Sequence, residues 1–233
     1  MSWRQPLHAD GGGSGPSGGH QSDVDSGRRT DSPVRAETRP IARAMDLGPL
    51  RYSGPMQPIQ PDQAVFLLQG VYLPGLKNEQ RITRSIIEAI PLDKGDYRPD
   101  EISKSALDLA WHIAVTEMRF LDAVASGGFD FSPRPLPDSV KTSADLAAWY
   151  TDNFAPRFEA LTKLSSEQLL KIIDFRGMFQ LPAVTYLNFL LHHSIHHRGQ
   201  LSMYLRPMGA KVPSIYGESY DAAEARKASQ QNA

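Results

Sequence analysis

The ten residues Leu191-His192-His193-Ser194-Ile195-His196-His197-Arg198-Gly199-Gln200 place four of the chain's seven histidines in six consecutive positions. The apolar residues around them keep a three-to-four spacing, so the stretch reads as helix. Residues four apart share a helical face, which lets His193 and His197 offer two imidazoles to one cation. His192 and His196 have the same spacing on the neighbouring face, and the apolar stripe decides between the pairs. Tyr186, Phe189, Leu190, Leu201 and Tyr204 fall beside His193 and His197, whereas Thr185, Asn188 and Gly199 fall beside the other pair. The inward pair is therefore expected to be His193 and His197, with His192 and His196 toward solvent or a subunit contact. A histidine run that binds nothing is the alternative. It carries less weight, because two imidazoles turned toward a helical core need a partner.

Two ligands on one helix leave a cation short of a third. His8 and His20 lie in an N-terminal segment of tail-like composition, which leaves His112, within the apolar helical run Leu107-Asp108-Leu109-Ala110-Trp111-His112-Ile113-Ala114-Val115. A lone histidine on an apolar helix is more often a satisfied core residue than a ligand. Set against the His193/His197 face, the ligand role becomes the stronger reading. Three imidazoles leave coordination positions open for water or substrate, the pattern of catalytic rather than structural sites. A protease of the His-Glu-x-x-His type is excluded, because Ser194 follows His193. Glu117 lies five residues after His112, about 140° around the helix, and is expected to be a poor general base at the surface or behind the ligands.

The chain has no cysteine, so disulfides and protein thiolates are excluded and any reactive thiol must arrive on another molecule. A net charge of −1 with no clustered Lys/Arg stripe argues against nucleic acid as a partner. No apolar run reaches the roughly 18 residues of a membrane span, and the N-terminus lacks the apolar core of a secretion signal. No membrane partner is expected, and a cytoplasmic location is the default. Residues 1–55, with Gly11-Gly12-Gly13, Gly18-Gly19 and few large apolar side chains, are expected to form a disordered tail. Met45 offers an alternative start, which a mass spectrum of native protein beginning earlier would dispose of. The folded domain is expected over 56–217, followed by a polar C-terminal tail over 218–233.

Within the domain the patterning predicts an all-α fold of four helices. The first runs from Pro61 to Ile90, kinked at Pro74-Gly75, with Gly70 relieving the ring clash. The second starts at a Ser103 cap, carries Leu109, Val115 and Thr116 on the face of His112, and ends at Gly127-Gly128. A proline-rich loop, Phe129 to Pro137, leads to a third helix opened by a Thr142/Asp145 capping box and bent at Pro156. Its inward residues are Leu146, Trp149, Tyr150, Phe154, Phe158 and Leu161. Residues 166–181 suggest two short extended pieces around Gly177, a hairpin-like connection. The fourth helix is expected from Pro182 to Arg206. Bundle interiors commonly host metal sites built from facing helices.

Ala110-Trp111-His112-Ile113-Ala114, His193-x-x-x-His197-Arg198-Gly199-Gln200, Met208-Gly209 and Val212-Pro213-Ser214-Ile215-Tyr216-Gly217 together resemble the DinB/YfiT-like family of metal-dependent enzymes, over Pro58 to Gly217. The resemblance implies a DinB-like four-helix bundle, usually a homodimer. It also implies a three-histidine site for a divalent metal ion, zinc or nickel first and iron or manganese as further options. By position, His112, His193 and His197 inherit the ligand roles. Better understood relatives are thiol-dependent transferases and isomerases using low-molecular-weight thiols such as bacillithiol or mycothiol. The leading expectation is thus metal-activated thiol transfer to a small-molecule substrate. Its rivals are a metal-dependent hydrolase using metal-bound water and a non-enzymatic metal-binding stress-response protein. Arg198 and Gln200 are expected to support the ligands, Gln200 by a hydrogen bond to a histidine and Arg198 more simply by pairing with a carboxylate of a neighbouring helix. Gly199 is expected to admit another helix closely, Tyr186 and Tyr204 to line core or pocket, and Trp111 and Trp149 to pack.

Overall fold

The computed structural model describes residues 58–231; the expected tail over 1–55 and the alternative start at Met45 lie outside them. The first predicted helix is one continuous helical path in three pieces: α1 (Pro61–Phe66), a π-helical stretch (Leu67–Tyr72) and α2 (Leu73–Glu88). Pro74 has no N–H to give the preceding turn, and the wider π turn just before it absorbs that loss, so the helical path runs on where a kink is expected from sequence. At Gly70, a Cβ would meet the Phe66 ring at 3.2 Å. α3 (Ala106–Ser126) is capped by Ser105, whose hydroxyl accepts from the Asp108 N–H at 3.1 Å, not by Ser103, which is bound to Asp100. Gly127, at φ 76°, ends it.

α4 (Ser143–Thr162) opens on the expected Thr142/Asp145 capping box and continues through Pro156. Leu146, Tyr150, Phe154 and Leu161 are buried, with Trp149 and Phe158 half-buried around them. The next connection departs from expectation at both ends. Ser166–Leu170 form a short helix, α5, because Ser165 and Gln168 cap it reciprocally. The extended pieces are β1 (Ile172–Phe175) and β2 (Phe179–Pro182), antiparallel, with Phe175 opposite Phe179 and the reversal made at Arg176 and Gly177, both at positive φ. Pro182 closes β2 in an extended conformation instead of opening the last helix; a 3-10 turn over Ala183–Thr185 intervenes, and α6 spans Tyr186–Leu205. Residues expected as a polar tail carry a final helix, α7 (Tyr220–Gln231), none of whose side chains is buried.

α2 packs on α4, α4 on α3, α3 on α6 and α6 on α2, a closed ring of four that makes the bundle. Its core is Ile82, Ile86, Ile113, Met118, Leu121, Leu146, Leu187 and Leu201, all essentially inaccessible. Among the described residues no helix is long and apolar enough to cross a membrane.

Candidate metal centre

The α3–α6 seam joins two residues more than 80 positions apart in the chain. His193 Nε2 lies 3.1 Å from His112 Nε2, which in turn lies 3.2 Å from His197 Nε2. One nitrogen from each of the three rings falls within 4.8 Å of the others, and among the described residues no carboxylate joins the group. With metal–nitrogen bonds of about 2.0–2.1 Å, the edge of a tetrahedral ligand set is about 3.3 Å, so these two separations match a shared ion with little movement. The donor set suits zinc, nickel, iron or copper.

The local environment keeps the imidazoles neutral. Burial, followed by the neighbouring imidazoles, pushes His193 down to about 3. Burial, then His197, Lys104 and Arg119, pushes His112 down to about 4. His197 is lowered chiefly by burial. Gln200 Oε1 sits 2.6 Å from His197 Nδ1 and accepts its proton, which leaves the Nε2 lone pair aimed at the shared centre. His193 Nδ1 is buried and has no hydrogen-bond partner among the described residues. His192 and His196 are exposed, as expected from their stripe.

Two cavities flank the triad. One of about 490 Å³ lies against His197 and Gln200, walled by Lys104, Leu109, Met203 and Tyr204. The other, about 320 Å³, lies against His112 under the proline-rich loop, with Val115 and Thr116 on its wall. The loop is held there by two bonds from α3: Trp111 Nε1 donates to the Arg134 carbonyl at 3.1 Å, and Arg119 Nη2 to the Ser132 carbonyl at 2.7 Å. Trp111 also meets Trp149 edge to face, with centroids 4.6 Å apart.

Behind the histidines lies a polar chain that the sequence reading missed in part. Arg198, 1% exposed, pairs with Glu79 of α2 and donates to Thr83 Oγ1 at 3.1 Å. Thr83 donates to Glu117 Oε1 at 3.1 Å, and the Tyr150 hydroxyl to Glu117 Oε2 at 2.5 Å. Glu117 is therefore not at the surface: its 140° offset from His112 turns it into the bundle, where two hydroxyls solvate it and burial raises its pKa. Tyr216 closes the chain, its hydroxyl donating to Glu79 Oε2 at 2.8 Å and accepting from Arg198. Gly199 faces open space: among the described residues nothing lies within 4 Å of a Cβ built there, so none of their helices packs closely on it.

The family model for the DinB family matches residues 67–231, most of the chain and all four bundle helices apart from the first few residues. The chain belongs to the DinB family. It is 29% identical to the Bacillus subtilis protein YjoA over 134 residues, 57% of this chain and 85% of YjoA. To YrdA of the same organism it is 35% identical over 83 residues, 36% of this chain and 48% of that protein. The crystal structure of the DinB-like YjoA superposes with a TM-score of 0.53 at 26% identity, covering 63% of this chain and 98% of the other. A DinB-like protein from Bacillus cereus, at 23% identity and a TM-score of 0.54 over 62% of this chain and 95% of that one, shares the fold. The DinB match extends through α7, beyond the stretch to which the sequence motifs point.

Proposed function

We propose that this DinB-family protein is a divalent-metal-dependent enzyme that transfers a low-molecular-weight thiol to a small electrophilic substrate. The observation that carries the reading is the convergence of three neutral imidazole nitrogens beside open space, with no carboxylate among the described residues in the group and no cysteine in the chain. His112, His193 and His197 would hold the ion, zinc or nickel by ligand type. A bound divalent cation supplies the pull that turns a thiol into its thiolate at neutral pH. Gln200 fixes the tautomer and the ring plane of His197. Leu109, Met203 and Tyr204 give the larger cavity an apolar wall beside the polar Ser103, Lys104 and Gln200.

Hydrolysis has less support, because among the described residues no carboxylate stands beside the triad to take a proton from water, and Glu117 is committed to Tyr150 and Thr83. A homodimer, the assembly the family resemblance implies, completes the proposal; sedimentation of the full chain measures it.

The test is calorimetric titration of zinc- and nickel-loaded protein with bacillithiol, mycothiol and glutathione, followed by assay of conjugation to an electrophile. Metal-dependent binding of one thiol, lost in His193→Ala, is the expected result. Absence of both binding and conjugation with a fully loaded site refutes the proposal.

A further inference from the structure

Two of the four clustered histidines, His192 and His196, take no part in the triad. Both are exposed, and among the described residues no nitrogen of either joins the three that converge. The hydrogen bonds of the cluster join His112, His193, His197 and Gln200, and they leave the outer rings to solvent. The helix around the outer pair is almost bare of charge. α6 carries a single charged residue, Arg198, which is buried and paired with Glu79. No exposed cation of this helix repels an incoming metal ion, and no carboxylate of it ties up either imidazole.

Four residues apart on one helix, the two side chains start from Cβ atoms about 5–6 Å apart. From there both rings reach one divalent ion at metal–nitrogen distances of about 2.0–2.1 Å, with water in the remaining positions. Gly199 keeps the approach clear. Helical side chains lean toward the N-terminus, so a side chain at 199 would cover the turn at His196, three residues earlier. A glycine inside a helix destabilises it relative to alanine, and among the described residues nothing within 4 Å of a Cβ built here calls for the missing side chain. What its absence does is leave the His196 ring uncovered. That ring also touches the inner site: its centroid lies 4.8 Å from that of His197, with the planes at 73°.

We propose that His192 and His196 form a second divalent-metal site on the solvent face of α6, a surface chelate that captures the ion and hands it to the triad through the His196–His197 contact. Borderline transition ions such as nickel and zinc are the class that imidazole pairs select. Two imidazoles hold the ion more weakly than three, so it moves inward. The outer site stands on its own two residues. The hand-over rests on the triad as a metal centre and does not depend on thiol transfer.

Metal-free full-length protein is titrated with nickel(II) by calorimetry in four forms: wild type, His192→Gln, His192→Gln/His196→Gln and His193→Ala. His8 and His20 are common to all four and cancel in the comparison. The wild type is expected to take up a tight ion and one bound at least tenfold more weakly. His193→Ala keeps only the weaker ion, the double variant only the tight one, and His192→Gln alone weakens the outer ion at least tenfold, because a chelate needs both rings. Both outer residues are exposed, so these variants keep the fold. Loss of no ion in the double variant, or undiminished binding in His192→Gln, refutes the outer site. The hand-over is read by stopped flow with cobalt(II) below one equivalent, following the visible band of the ion in the triad. That band is expected to rise at least threefold more slowly in the double variant and to the same final height; a smaller slowing refutes the hand-over. If His193→Ala and wild type bind the same single ion and the double variant binds none, the triad is not a metal centre, and the outer site stands without it.

Discussion

An imidazole is a ligand only while unprotonated, and burial holds three of them in that state here. Replacing any of His112, His193 or His197 by Ala is expected to cut the metal retained after dialysis below a tenth of the wild-type value, measured by elemental analysis on protein whose circular dichroism is unchanged. Gln200→Ala, which frees the His197 tautomer, is expected to cost about 10–100-fold in metal affinity without abolishing binding. The depressed values also set a sign for the metal-free protein. Above about pH 6.5 the rings are neutral in both the folded and the unfolded chain. As pH falls, the unfolded chain takes up protons first, because the folded values are about 4 for His112 and about 3 for His193. Stability therefore declines from pH 6.5 toward pH 3–4. In thermal melts a His112→Gln/His193→Gln variant should lose less over that range than the wild type; equal losses would contradict the assignment.

Caps and turns locate the helices that carry these rings, and they separate what was legible from what was not. Ser105→Ala is expected to cost about 1 kcal/mol in urea unfolding, and Ser103→Ala less than half as much, because only Ser105 reaches the Asp108 N–H. Two serines two residues apart look alike in sequence; the hydrogen bond tells them apart. The Thr142 capping box was readable because an apolar stripe follows it. The same device at Ser165 and Gln168 opens a helix of only five residues, too short to show a period, so its pattern reads as extended chain. Pro182 suits the start of a helix and the end of a strand equally, and the pairing of Ile172 with Pro182 decides for the strand. The histidine stripe was legible because two of its four rings share a face with large apolar residues. Glu117 was not, since its solvating partners Thr83 and Tyr150 come from other helices, and Thr83 passes for a member of an apolar stripe.

Across the molecule, the chain from Tyr216 through Glu79, Arg198, Thr83 and Glu117 to Tyr150 links α2, α3, α4, α6 and the segment after α6. Removing a partner should hurt more than neutralising one. Glu117→Ala strands two buried hydroxyls and is expected to cost about 3 kcal/mol, whereas Glu117→Gln keeps a neutral acceptor. The raised folded pKa of Glu117 means that wild-type stability from this group is present below about 4.5 and is lost as pH rises toward the folded value. Chemical denaturation at pH 5 and pH 8 should accordingly show Gln gaining on Glu at the higher pH. The ring order of the bundle has one more effect. His112 and the α6 pair, 81 and 85 residues apart in sequence, meet across a single seam, so a captured ion would act as a rivet through that seam and no other. At a metal concentration of 100 times Kd the rivet adds about 2.7 kcal/mol. Amide exchange should slow along both riveted helices, while the outlying α7, sharing no interior with them, keeps trading its protons with water at the old pace.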